Sequence, residues 1–162
     1  MLGLIGFDPN RKGPEMMERF WFWQRWLFVV SLLITLFGIV MAFLNGTGLF
    51  DLFNRQIDSV FWGTEDIADK AKNFQRWVYG VWGATIAGWG VMLGFIAYYP
   101  FRKREAWSWK CLVAGLTVWN LLDSGLSMYF KVYFNAVFNT GLLILAAFPL
   151  VFTRKSFSDG RK

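Results

Sequence analysis

Histidine is absent from the 162-residue chain, and cysteine occurs once, at Cys111. Without an imidazole there is no histidine ligand for haem, zinc or iron and no Ser-His or Cys-His nucleophile pair. A lone cysteine excludes an intrachain disulfide and a CxxC redox pair. Cys111 opens an apolar stretch beside Lys110 and reads as inert, with reversible palmitoylation as the alternative. Charge is scarce too: charged residues make up 17%, against about 25% in soluble domains. Apolar types reach 56%, aromatics 20%, and mean hydropathy is +0.36. So few charges cannot coat a surface in water, so the expected solvent is a lipid bilayer.

Three charge-free stretches cover residues 27–44, 77–99 and 132–153, and a fourth, 111–130, carries Asp123 as its one charge. A hydrocarbon core of about 30 Å needs about 20 helical residues, so each stretch can cross it. The expected fold is an all-α integral membrane four-helix bundle forming one domain over 1–162. Its spans lie at about 21–44, 76–99, 108–130 and 134–153, with an outer loop at 45–75. The N-terminal segment is too long and mixed for a signal-peptide n-region, and no A-x-A site follows the first span. That span is therefore expected to stay as an anchor.

Orientation is read from the basic residues. Arg11, Lys12, Arg19 and Arg25 precede the first apolar stretch at 27–44, and Arg102, Lys103, Arg104 and Lys110 join the stretch at 77–99 to that at 111–130. Arg154, Lys155, Arg161 and Lys162 follow the one at 132–153. Arg55, Lys70, Lys72, Arg76 and Lys131 make up the other side, where Asp51, Asp58, Glu65, Asp66 and Asp69 offset them. The positive-inside rule then predicts a cytoplasmic (inner) membrane protein with both termini in the cytoplasm. The net charge of +6 is accounted for by topology, without a nucleic-acid partner. Trp21, Trp23, Trp26, Trp107 and Trp109 sit at the predicted inner boundary and Trp62 and Trp77 near the outer one, as interfacial belts do. Trp89 and Trp119 are mid-span and read as packing residues.

Asn45-Gly-Thr-Gly48 ends the first helix. Leu49, Phe50, Leu52, Phe53, Ile57, Val60 and Phe61 then recur at helical spacing, with Asp51, Asn54, Arg55 and Asp58 on the other face. This predicts a short amphipathic outer helix between helices 1 and 2, lying on the outer leaflet or capping the bundle. The polar stretch 63–73 predicts a second short helix. The second span is rich in small residues: Gly80, Ala84 and Gly88 form one ridge, Gly83 and Ala87 the next row, and Gly90 and Gly94 another pair. Lipid supplies no hydrophobic drive between helices, so such residues mark close backbone packing, within the chain or across a dimer. Gln24-Arg-Trp26 and Gln75-Arg-Trp77 echo one another, a similarity too short to establish an inverted repeat.

Asp123 is the costly residue, about 12 Å from the outer end of its span at 1.5 Å per residue. Asn120, Ser124 and Ser127 share its stripe, and the following span brings Asn135, Asn139 and Thr140 to similar depth. Two readings stay open. As a site, Asp123 titrates or binds a cation with Asn120, Ser127, Asn139 and Thr140 as candidate ligands. As a structural tie, it joins helices through a satisfied network, with Lys131 or Arg76 as charge partners. No second intramembrane carboxylate offers acid–base pairing, and no glycine-rich phosphate loop is present.

Gln75-Arg-Trp, Ala87-Gly-Trp-Gly90, Tyr99-Pro-Phe-Arg102, Trp107-Ser-Trp109, Asp123, Tyr133-Phe-Asn135, Phe138-Asn-Thr140 and Phe152-Thr-Arg-Lys155 together resemble a group of small, uncharacterised bacterial four-helix membrane proteins. The resemblance covers 20–157 and implies the fold; it implies no activity, cofactor or catalytic residue. The functional expectation is a non-enzymatic structural or accessory protein, without cofactor or metal, that binds a partner protein, itself or a lipid-like ligand. The alternative is a small proton- or cation-coupled transporter or channel using Asp123.

Overall fold

The computed structural model describes residues 12–63 and 68–157; Arg11, Glu65, Asp66, Arg161 and Lys162 of the charge reading lie outside them. The helices are α1 (Lys12–Leu44), α2 (Asp51–Trp62), α3 (Asp69–Tyr98), α4 (Ala106–Tyr129) and α5 (Tyr133–Thr153), with 3-10 turns at Gly48–Phe50 and Arg154–Phe157. α1, α3, α4 and α5 are each long and apolar enough to cross a membrane, and no strand occurs among the described residues. The fold is an all-α four-helix bundle with α2 as a short extra helix. Of the stretch 63–73, residues 64–67 lie outside the described residues, and 69–73 are not a separate helix but the first turns of α3. Asp69 suits that first turn, and no glycine or proline separates it from the apolar span that opens at Trp77.

Around the bundle the order is α3, α1, α5, α4, with α1 and α3 the closest pair. Their seam is a matched set of small and polar residues at alternating spacings of four and three. On α1 these are Ser31, Thr35, Gly38, Ala42 and Asn45; on α3 they are Gly83, Ala87, Gly90, Gly94 and Ala97. A Cβ on Gly83 would lie 2.6 Å from the Gly38 carbonyl oxygen, and one on Gly90 would lie 2.5 Å from Thr35 Oγ1. The backbones themselves are thus in contact, which is the attraction available between helices in lipid. This corrects the predicted ridge of Gly80, Ala84 and Gly88. Gly80 only skirts the seam, with the Ala42 oxygen 3.6 Å from a built Cβ, and Gly88 faces open space. Ala84 is exposed. Gly90 and Gly94 do pack, against Thr35 and Ser31.

α3 and α4 are held apart by large side chains, and Trp89 meets Trp119 across that gap with ring centroids 5.5 Å apart. At one end, Phe20 of α1, Phe101 of the α3–α4 turn and Phe157 pack together, with centroids 4.7–6.0 Å apart. Arg104 lies over the Phe20 ring at 4.6 Å. The start of α1, the α3–α4 turn and the last described residues therefore share one end of the bundle. At the far end α2 caps it: Phe53 meets Phe134 and Phe138 of α5 at 5.0 and 5.5 Å, and Phe61 meets Phe130 at 6.0 Å.

Helix ends and a proline leave carbonyls without intrahelical donors, a costly state in hydrocarbon. Pro149 has no N–H for Leu145, and the Trp26 indole donates to that oxygen at 3.0 Å. The Arg154 N–H turns to Val151, and Trp109 donates to the freed Leu150 oxygen at 2.8 Å. Ahead of α4, the Phe101 N–H bonds Ile96 in place of Pro100, and the buried Gln24 amide donates to Ala97 O at 3.0 Å. Trp26 and Trp109, predicted as interfacial belt residues, are thus also hydrogen-bonding staples between helices.

Two outcomes are expected. Gly83→Ala lowers thermal stability in detergent, whereas Gly88→Ala leaves it unchanged or raises it by up to about 1 kcal/mol through helix propensity. Trp26→Phe destabilises by about 1 kcal/mol. That cost disappears in the Pro149→Ala background, where residue 149 supplies the N–H; equilibrium unfolding of the four variants measures the coupling.

Candidate functional site

α4 and α5 form a hairpin hinged at residue 131. The Lys131 N–H bonds Met128 O at 3.1 Å, and the Val132 N–H bonds Ser127 O at 2.8 Å. This is a Schellman closure, with Lys131 in the left-handed position normally given to glycine, at φ 63°. So tight a hinge sets the register: Asp123 falls opposite Asn139, and Ser127 opposite Asn135, both pairs centred on residue 131.

One oxygen of Asp123 gathers that register into a clasp. Oδ1 accepts from Asn139 Nδ2 at 2.7 Å, Asn135 Nδ2 at 2.8 Å and Ser127 Oγ at 3.3 Å. The second hydrogen of Asn135 goes to Ser127 Oγ at 2.8 Å, and the one Ser127 hydroxyl hydrogen is shared between Oδ1 and the nearer Asp123 carbonyl at 2.7 Å. Ser127 and Asn139 are buried, while Asp123 and Asn135 are half-buried.

The remaining candidates stand apart. Asn120 donates to Ser124 Oγ at 3.2 Å and does not reach Asp123. Thr140 is turned onto its own helix, donating to Ala136 O at 2.8 Å. Neither expected charge partner serves: Lys131 is exposed in the turn and Arg76 lines a separate cavity. Among the described residues Asp123 has no ion pair. The correction is physical: two neutral amides already sit at hydrogen-bond distance, and bringing a lysine or arginine inward would cost its own desolvation. Depth along the spans marks Asn135 only as a neighbour of Asp123. The spacing Asp-x3-Ser before the hinge and Asn-x3-Asn after it is the signal that pairs them.

A second polar feature lies at the far end, beneath α2 and between the ends of α1 and α3. It is a cavity of about 430 Å3. Asp51, Asn54, Arg55 and Asp58 reach it from α2, Lys72, Gln75, Arg76 and Tyr79 from α3, and Asn45 and Gly46 from the turn after α1. The polar face of α2 therefore turns inward. Leu49, Leu52, Val60 and Phe61 of its apolar set are exposed. Asp58 is only 5% exposed and accepts from Gln75 Nε2 at 2.7 Å, an amide that also reaches Tyr79 Oη at 3.3 Å. Asn45 donates to Met41 O at 2.9 Å and Arg76 O at 3.3 Å, tying the end of α1 to the start of α3. Asn54 Oδ1 is buried without a hydrogen-bond partner among the described residues.

Chemically, the Asp123 clasp is a set of donors around one acceptor, with no nucleophile and no second acid. Among the described residues no group of three His, Cys, Asp or Glu side chains is placed to hold a metal ion. No protein-family model, curated protein or solved structure matches the chain.

Two substitutions separate the clasp from an ion pair. Lys131→Gly raises stability by about 1 kcal/mol, because it relieves a left-handed non-glycine residue; a counter-ion of Asp123 would instead lower it on removal. Asn139→Leu lowers stability by roughly 0.6–1.7 kcal/mol. Chemical unfolding in mixed micelles reads both.

Proposed function

We propose that the protein is a non-enzymatic integral membrane accessory module that works by binding, with a lipid-like ligand taken at the far end of the bundle. A partner protein or a second copy of the chain belongs to the same class of role. The charge distribution supports a cytoplasmic (inner) membrane location, with the Phe20–Phe101–Phe157 end in the cytoplasm and α2 on the outer side. The resemblance to small bacterial four-helix membrane proteins is in keeping with that location.

One observation carries the reading: the single carboxylate deep in a span is engaged by three donors of its own hairpin. A coupling acid has to exchange its proton or cation with water on both sides in turn, whereas this one is clasped. The charged cavity lies elsewhere and is built from other residues. A binding role needs such a recess and no chemistry.

The second reading, proton or cation coupling, draws on the other Asp123 oxygen. Oδ2 accepts no hydrogen bond among the described residues. Proteoliposomes holding a pH-sensitive dye decide between the two. Under an imposed pH gradient, with or without Na+ or K+, wild type and Asp123→Asn should match protein-free liposomes. A protein-dependent flux that Asp123→Asn abolishes would replace the accessory reading with the transport one.

A further inference from the structure

We propose that the far-end cavity binds a small zwitterion, a primary ammonium joined by a short linker to a phosphate, with Asp58 receiving the ammonium and Arg55 and Arg76 the phosphate. This rests on the binding reading above and names its ligand class.

Asp58 makes the case for a cation. Its carboxylate is 5% exposed, yet within the described residues it is met by one neutral donor, Gln75. A buried carboxylate is normally paired with a cation or held by several donors. Arg55 and Arg76 line the same cavity, but neither forms an ion pair with Asp58. A primary ammonium brings three hydrogens to that carboxylate; a quaternary ammonium brings none and offers it charge alone.

The arginines make the case for the other half. Arg55, Lys72 and Arg76 line the recess with Asp51 and Asp58, three basic residues against two acidic ones, so a cation alone would add to an excess of positive charge. A simple anion would leave the buried Asp58 with its one neutral donor. Phosphate suits the planar guanidinium fork, which can bond it through two N–H groups at once. Gly46 lets Arg76 lie close over the turn: a Cβ there would be 3.0 Å from Nε. The cavity volume of about 430 Å3 falls within the roughly 300–1,000 Å3 usual for small-molecule sites. The same chemistry could come from a phosphatidylethanolamine headgroup or from a free phosphoethanolamine ester.

Calorimetry on the full chain in detergent, titrated with glycerophosphoethanolamine, glycerophosphocholine and glycerophosphoglycerol, tests the class. Native mass spectrometry from nanodiscs of equal phosphatidylethanolamine and phosphatidylglycerol tests the lipid source. The ethanolamine form, as soluble ester or retained lipid, should be favoured over its competitors by about tenfold or more. Binding only from nanodiscs assigns the headgroup; binding of the ester in lipid-free detergent assigns the free compound; either supports the proposal. Asp58→Asn should erase the preference for ethanolamine, and Arg76→Gln should weaken all the phosphate ligands. Should Asp58→Asn not fold, the wild-type preference for ethanolamine over choline still decides. Equal binding of all three, or a preference for the glycerol form that survives Asp58→Asn, would overturn the zwitterion while leaving a binding role. Failure of every ligand in both formats would overturn the proposal and the lipid-like ligand reading together.

Discussion

Hydrocarbon offers no hydrogen bonds, so every polar group placed within a span must find its partner inside the protein. Much of the internal architecture here answers to that constraint. The carbonyl left by Pro149 is met by Trp26, the one at the end of α5 by Trp109, and the one before Pro100 by Gln24. The Asp123 carboxylate is met by Asn135, Asn139 and Ser127. In each backbone case the donor comes from a different helix, so satisfying a local defect also fastens two helices together. Defect and tie are the same bond.

Packing supplies the other half of the cohesion, and it is uneven around the bundle. α1 and α3 touch backbone to backbone along a seam of small residues, where Gly38, Gly83 and Gly90 leave no room for a Cβ. α3 and α4 instead meet through the tryptophan pair of Trp89 and Trp119. The result is a close pair joined through α5 to a hairpin that carries its own clasp. α2 closes the far end with phenylalanines on α5 and α4 and turns its charges into the recess beside α3. Polar chemistry is thereby sorted into a tie inside the spans and a cavity at their mouth.

Much of this was readable from residue order. Absent charges marked the four spans, and the glycine turn after Leu44 marked the start of a capping helix. What misled was identity without register. Three rows of small residues run along α3, and spacing alone does not say which faces a neighbour; only the matching row on α1, from Ser31 to Asn45, selects Gly83, Ala87, Gly90 and Gly94. Depth along the spans puts Ser127 and Asn139 beside Asp123 but equally Asn120 and Thr140, and charge adds Lys131 and Arg76; only the register set by the hinge at Lys131 selects Ser127, Asn135 and Asn139. The inward turn of the α2 polar face was not legible, because the recess exists only once α1 and α3 end side by side. Trp26 gave no sign of its role until Pro149 was seen to free the carbonyl beside it.

The most direct measurement is solid-state NMR of the protein in lipid bilayers, with carboxyl carbons of aspartate and side-chain nitrogens of asparagine, lysine and arginine labelled. The account predicts cross-peaks from the Asp123 carboxyl carbon to the amide nitrogens of Asn135 and Asn139. A cross-peak to the Lys131 or Arg76 nitrogens, with none to the two asparagines, would contradict it.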